Sequence, residues 1–419
     1  MKILLSVFAC APHSGSETGA GWRWAEELAR AGHDVVALTD ESRRQLIEAH
    51  LARHPVERLE IVYFRPAPIR GLQLNSRTAQ FIYTLWQYMV LPCARRLHQQ
   101  HRFDLVIHLT YGVFRHPSFM GWLGIPFVFG PVGGGEDAPW RLKADYTPSE
   151  KIRALARVLL NQTARLNPVL RLALSRATLI LARTDHTRRL LPGPCQKRTR
   201  LYQEIGIDLR NPETAATTTA RSRGAPLQLL FAGRLLSLKG IHFALDALAL
   251  ATSRGHDVHL TIVGSGPMET WLKRRQNRYP QLAGHVTWIP RMPQPELFEL
   301  YAGMHGFLFP SLHDSGGNVV LEALSFGLPV ICLDLGGPAT LVTPQCAQIV
   351  EAAQASRADL IEQLARAIGR LESDDELRLR MSRAALSQAK AMTWESRPAG
   401  ALKMLEECLR DTAARTPTC

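Results

Sequence analysis

From Leu227 to Leu333 the chain alternates short apolar runs with longer segments of helical character. The apolar runs are 227–231, 258–263, 285–289, 305–309 and 328–333, and the segments between them are 240–252, 267–278, 295–303 and 317–326. Apolar runs of this length read as buried strands. Strands that alternate with helices are joined by crossovers rather than hairpins, so the pattern predicts a parallel sheet with helices on both faces. Such sheets bind ligands beyond the carboxyl ends of their strands. The loops after each apolar run are therefore where chemistry is to be sought.

The richest of these loops opens the stretch FPSLHDSGGNVVLEALSFGLPVICLDLGG, Phe309 to Gly337. Asp314 lies in the loop and Glu322 lies eight positions on, inside the helix that ends at Gly327. The helical part of that spacing covers roughly 8 Å at about 1.5 Å per residue. Two carboxylates so placed can reach a hexose and a ribose with a diphosphate between them. Gly316, Gly317 and Asn318 stand at the helix entrance, where free N–H groups and the helix dipole favour a phosphate. Read alone, Asp314 serves equally as a helix cap and Glu322 as a solvated helix residue. A second loop, after the run 227–231, reads Ala232-Gly233-Arg234-Leu235 and then Ser237-Leu238-Lys239-Gly240.

Together these stretches resemble the signature of retaining GT-B glycosyltransferases of family 4. That signature is an acidic residue, seven residues, Glu, and small-x-Gly-x-Pro-Val, here Asp314, Glu322 and Ser325 to Val330, preceded by GR-x(4)-KG, here Gly233 to Gly240. The resemblance implies that Glu322 holds the ribose hydroxyls and that Asp314 contacts the transferred sugar. It implies that Arg234 and Lys239 clamp the donor diphosphate, that Gly264 in Gly264-Ser265-Gly266-Pro267 shapes the nucleotide pocket, and that the backbone at Ile289 and Arg291 borders the base. Asp314 departs from the Glu usual at its position and is one methylene shorter. The implied fold is GT-B: two facing Rossmann-like domains with a cleft between them and a last helix crossing back onto the first. The implied reaction is transfer of a hexose-type sugar from a nucleoside-diphosphate sugar to a saccharide or lipid-linked acceptor. No cofactor or metal is expected, and no D-x-D triplet occurs.

The first half of the chain is less specific. Lys2 to Ala9 reads as a strand, PHSGSETGAG (Pro12 to Gly21) as a loop, Trp22 to Ala31 as a helix and His33 to Thr39 as a second strand. Gly19 and Gly21 offer backbone N–H groups to an anion. Gly19-x-Gly21, followed by Asp40, also raises NAD binding, but Trp24 fills the third position of that fingerprint, where close helix–strand packing needs Gly or Ala. Two further strands, Phe103 to Leu109 and Ile125 to Phe129, run into Thr110 to His116 and into GPVGGGE, Gly130 to Glu136. Gly133 and Gly134 permit close approach to a ligand. Many members of the resembled family carry a His where this chain has Gly130. His108, His116 and Glu136 are the candidates to replace it on the acceptor side. The expected domains are 1–208 with 394–419, and 209–393, joined by a polar linker from Gly206 to Ala225.

Composition narrows the partners. The 419 residues carry 50 Lys and Arg against 37 Asp and Glu, a net charge of +13. Such a surface favours an anionic membrane, a polyphosphate or nucleic acid, or serves solubility alone. No nucleic-acid recognition motif is present, and nucleic acid is not an expected partner. The aromatic segment Phe81 to Leu91, flanked by Arg77, Arg95 and Arg96, and the Arg-rich helical stretch Leu142 to Arg189 are the places where a membrane surface competes with ordinary packing. In that stretch Pro168 should break or kink a helix. No run of eighteen apolar residues exists. MKILLSVFACA is too short for a secretory leader, and seven scattered cysteines without C-x-x-C pairs fit a reducing compartment. The expected location is cytoplasmic, with a peripheral position on the inner face of the cytoplasmic membrane as the alternative to a free one. Two other readings remain: a nucleotide- or nucleic-acid-binding protein that kept the fold and lost transfer, and a GT-B epimerase or phosphorylase.

Overall fold

A computed structural model describes residues 1–75, 78–209, 221 and 224–415. The middle of the expected linker, and Arg77, lie outside the described residues. The chain forms two compact units. One comprises Met1–Gly135, Val158–Gly206 and Trp394–Cys419, the other Glu136–Arg157 and Ile207–Thr393. The sequence reading ran the first unit unbroken to 208. The structure instead gives residues 136–157 to the second, through long-range polar contacts described below.

Among the described residues the first unit has a seven-stranded parallel sheet: β1 (Lys2–Val7), β2 (Asp34–Thr39), β3 (Leu59–Tyr63), β4 (Leu105–Leu109), β5 (Phe127–Val132), β6 (Leu179–Ala182) and β7 (Thr199–Leu201). Their order is β3-β2-β1-β4-β5-β6-β7. Side chains of successive strand residues point to opposite faces, and the strands supply both faces of the core. Ile3, Leu5 and Val7 pack with Trp24 and Leu28 of the helix Ser16–Arg30 and with Ala401 and Leu405 of the last helix, Ser396–Arg415. Leu4 and Phe8 pack on the other side with Ile82, Tyr83 and Trp86 of the helix Ala79–Met89. That helix is the aromatic segment of the sequence: one side is core, while Phe81, Tyr88 and Met89 are exposed. The helical stretch is broken at Pro168, as expected: one helix ends at Ala164 and the next begins at the proline. It opens the helix Pro168–Ser175 at a position that needs no N–H, and the Asn167 side chain caps it by accepting from the N–H groups of Val169 and Leu170.

The second unit has, among the described residues, β8 (Leu227–Ala232), β9 (Val258–Val263), β10 (Val286–Ile289), β11 (Gly306–Phe309), β12 (Val330–Leu333) and β13 (Ala347–Val350), ordered β10-β9-β8-β11-β12-β13 and parallel throughout. In both units strand order reverses beside the first strand, between β1 and β4 and between β8 and β11. These are the switch points at which an open sheet leaves room for a ligand.

Candidate functional site

Two loops flank the switch point of the second unit. Residues 233–239 follow β8 and residues 310–317 follow β11. They are zipped together at Leu238, whose carbonyl accepts from the N–H groups of Leu312 at 2.8 Å and His313 at 3.2 Å and from the Ser311 hydroxyl at 3.3 Å. This pairing brings Lys239 to Asp314: Nζ lies 2.5 Å from Oδ2, with each side chain 18% exposed. The Lys239 ammonium also sits over the Phe309 ring at 5.3 Å. Asp314 Oδ1 accepts from the Gly316 N–H at 3.2 Å, and the Asp314 carbonyl accepts from the Gly337 N–H at 2.7 Å. Both of its oxygens are thus engaged inside the protein.

Glu322 lies on the helix Asn318–Ser325, whose N-cap is Gly317 at φ +86°. Its carboxylate accepts from Gln294 Nε2 at 2.7 Å and from the buried Tyr301 hydroxyl at 3.5 Å. Arg234 is exposed at the end of β8 and its guanidinium has no partner among the described residues. Gly264 is fixed by crowding: a Cβ there would stand 1.9 Å from the Gly233 carbonyl oxygen. Of the backbone expected to border a base, one group at each position has a partner within the unit. The Ile289 carbonyl accepts from the Gly264 N–H at 3.0 Å, and the Arg291 N–H donates to Ser265 Oγ at 3.2 Å. The structure therefore gives those two groups a structural role in tying β10 to the turn after β9.

Several supports escaped the sequence. Gln294 and Tyr301 come from another helix, and only the sheet order brings them to Glu322. Gly336 could have been suspected from the Gly336-Gly337 pair after an apolar run, since a Cβ on Gly336 would meet the Asp314 carbonyl oxygen at 2.2 Å. The segment 136–157 is the largest surprise. Arg141 donates to the Ala353 and Ala355 carbonyls, Asp145 pairs with Arg357, Glu150 accepts from the Ser237 hydroxyl at 2.8 Å, and Arg157 Nη1 lies 3.3 Å from His313 Nε2. Glu136, expected with the acceptor-side glycines, is buried and is one of the charges facing His313, next to Asp314.

The first unit corrects one other expectation and places the remaining candidates. Gly19 and Gly21 are not in a loop, because the helix begins at Ser16. A Cβ on Gly19 would lie 2.0 Å from the Ser14 carbonyl oxygen, and one on Gly21 would lie 2.2 Å from that of Ala9. Gly21 lets the helix approach Val7 of β1 and the chain just after it, and Gly19 makes room for the chain that enters the helix. Trp24 is fully buried and its Nε1 donates to the Glu204 carbonyl at 2.8 Å. His108 is a core residue of β4, 3.2 Å from the Tyr83 hydroxyl, with Nδ1 unpartnered. His116 lies 2.6 Å from Gln80 Nε2. Gly133 is bridged to Val113, and the Gly134 carbonyl accepts from Arg115 and Asn161.

Burial pushes His108 down to about 3 and His116 to about 4, so both are neutral at pH 7. The sign of the linkage follows. The unfolded His108 takes up a proton below its ordinary value of 6.5, whereas the folded one waits until about 3. Its contribution is complete above pH 6.5 and is lost as the pH falls from there towards 3. The midpoint of thermal unfolding is therefore expected to be flat from pH 8 to 7 and to drop between pH 6.5 and 4.5. The His108→Gln variant should show a shallower drop over the same range. An equal drop in both proteins would refute the assignment of this titration to His108.

Comparison with known proteins bears on the fold and on the second unit. Residues 219–388 match the family described as glycosyl transferases group 1. The D-inositol 3-phosphate glycosyltransferase of Corynebacterium urealyticum is 30% identical over 194 residues, 44% of this chain and 44% of that protein. The chain thus spans less than half the length of the curated relatives it matches. The lipopolysaccharide outer core galactosyltransferase WaaB superposes with a TM-score of 0.60 at 12% identity, over 98% of this chain and all of that one. Anabaena HepE in complex with UDP and glucose superposes at 0.52 and 16% identity, over 99% of this chain and all of that one. The fold is that of the GT-B glycosyltransferases, and residues 219–388 are similar to the glycosyl transferases group 1.

Proposed function

We propose that the protein transfers a hexose-type sugar from a UDP- or GDP-linked donor to a saccharide or lipid-linked acceptor, with retention at the anomeric carbon and without a metal. The observation that carries this reading is the arrangement at the switch point between β8 and β11: the Lys239–Asp314 pair, the exposed cation of Arg234 beside it in sequence, and Glu322 held by Gln294 and Tyr301. As the bond between sugar and phosphate breaks, negative charge grows on the leaving diphosphate. Fixed cations stabilise that charge more than they stabilise the bound donor. Lys239 supplies a point charge that Asp314 holds in place, and Arg234 supplies a planar fork for phosphate oxygens. Glu322, an acceptor at a preset position, suits two vicinal hydroxyls of a ribose. HepE, solved with UDP and glucose, supports the nucleotide-sugar class, and WaaB supports an acceptor in lipopolysaccharide or related glycoconjugate synthesis. The reaction is placed in the cytoplasm, where nucleotide sugars are available.

The test is a thermal-shift series with UDP, GDP, ADP, CMP and NAD on wild type and Glu322→Ala. A nucleotide at one hundred times its Kd adds about 2.7 kcal/mol to the native state, which raises Tm by several degrees. UDP or GDP is expected to give that rise in the wild type and little of it in the variant. A rise with NAD alone, or no rise with any of the five, would sink the proposal. A rise with UDP or GDP but no transferred product from the matching nucleotide sugar would identify a nucleotide-binding protein that has lost transfer.

A further inference from the structure

The helix Pro148–Ala164 presents its side chains in an inverted order. Its buried residues are Ala154, Asn161 and Ala164, while Leu159 is 63% and Leu160 57% exposed. Ile152 and Leu155 continue the exposed apolar stripe back along the same helix at spacings of three and four. The stripe does not end with the helix. Leu166 in the connection is 77% exposed, and Leu172 on the helix Pro168–Ser175 is 52% exposed. An ordinary surface helix turns such side chains inward. Here small and amide residues take the inner positions, and Asn161 donates to the Gly134 carbonyl at 3.1 Å.

The charge around this stripe has one sign. From Lys151 to Thr184 the sequence contains no Asp or Glu, and it contains Lys151, Arg153, Arg157, Arg165, Arg171, Arg176 and Arg183. Lys151, Arg153, Arg165 and Arg171 are exposed. At the end of the second helix Arg176 lies over the Trp122 ring at 4.9 Å. Trp122 is 5.3 Å from Phe119, which is 5.0 Å from the exposed Tyr88. Amphipathic aromatic rings with one wet edge are the side chains that settle at the level of lipid headgroups.

We propose that Leu159, Leu160, Leu166 and Leu172, with Arg165 and Arg171, form a docking face for a bilayer rich in anionic lipid. The leucines enter the boundary between headgroups and acyl chains, and the guanidinium groups reach lipid phosphates while their stems cover apolar surface. Charge complementarity selects this occupant. A protein partner would need a matching acidic groove, whereas an anionic bilayer offers apolar depth and negative charge together. The proposal goes beyond the transfer reaction and does not depend on it, because no residue of the face belongs to the site at β8 and β11.

The experiment is vesicle flotation of the full chain with neutral phosphatidylcholine and with phosphatidylcholine containing a quarter phosphatidylglycerol, at low and high salt. Wild type is expected to float with the anionic vesicles at low salt, at least tenfold more than with the neutral ones, and to be released by salt. The triple variant Leu159→Ser, Leu166→Ser, Leu172→Ser should lose at least tenfold in partition to the anionic vesicles. Arg165→Gln with Arg171→Gln should lose the preference for anionic lipid. All five substituted positions are on the surface, so an unchanged Tm and an unchanged nucleotide shift verify that the variants fold. A wild type that ignores anionic vesicles, variants that float like wild type, or a dimer that forms through these leucines and does not bind vesicles would each overturn the proposal.

Discussion

Lys239→Met is expected to lower sugar-transfer turnover by roughly 10²–10³-fold, the usual cost of removing one preorganised group that stabilises transition-state charge. The donor KM should change by less than about tenfold, because much of the Lys239 contribution arises only as the diphosphate leaves. The substitution keeps the length and apolar stem of the side chain over the Phe309 ring. It leaves Asp314 without its cation, but that carboxylate is partly solvated and still accepts from the Gly316 N–H. The fold therefore tolerates the change, and Tm should move by no more than a few degrees. Lys239→Arg restores charge but not the compact geometry that meets Asp314, and should recover only part of the rate. Steady-state release of the nucleoside diphosphate from the donor, with Tm measured in parallel, reads both effects. Turnover within threefold of wild type in a well-folded Lys239→Met protein would remove Lys239 from the chemistry.

This prediction rests on a pair that the sequence only half announced. The strands of the second unit were legible because each is a continuous apolar run with turn residues at its ends. The run read at 258–263 is the strand Val258–Val263, and the run read at 328–333 contains the strand Val330–Leu333. From that alternation the loops at β8 and β11 follow, and with them the neighbourhood of Arg234, Lys239, Asp314 and Glu322. The direct contact of Lys239 with Asp314 does not follow, because it depends on three hydrogen bonds to one carbonyl, that of Leu238. In the first unit the glycines misled. Gly19 and Gly21 have the composition of a loop but lie in a helix, where their missing Cβ atoms make room for the Ser14 and Ala9 carbonyls. The segment 136–157 left no local signal. Its partners lie up to 214 positions away, as in the bond from Arg141 to the Ala355 carbonyl, and no periodicity in the segment itself encodes them. The exposed leucines of the helix Pro148–Ala164 show the opposite limit. The pattern was visible, but which side faces the protein was decided by Ala154, Asn161 and Ala164.

Gly240→Ala is expected to destabilise the second unit strongly. Gly240 has φ +68°, and a Cβ there would stand 1.9 Å from the carbonyl oxygen of Pro310 and 2.9 Å from its carbon. That oxygen is backbone, so no side-chain rotation relieves the overlap, and the two loops must separate. Separation breaks the bonds that Leu238 accepts from Leu312 and His313, and these hold Lys239 against Asp314. The left-handed conformation itself costs Ala about 1–2 kcal/mol. With the clash and the lost hydrogen bonds the total should exceed about 3 kcal/mol, a fall of roughly 6–12 °C in a domain of this size. Gly255→Ala is the control. Gly255 has φ +88° but nothing within 4 Å of the added Cβ, so it carries the conformational cost without the clash and should lower Tm by only a few degrees. The difference between the two variants measures the contact between the loops, and differential scanning calorimetry with and without UDP reads it. A Gly240→Ala protein that still gains the wild-type shift from UDP, or that melts with Gly255→Ala, would mean that the two loops are not held together as the structure places them. A low Tm with the UDP shift abolished would mean that the donor site exists only while Gly240 lets the loop after β8 touch the loop after β11.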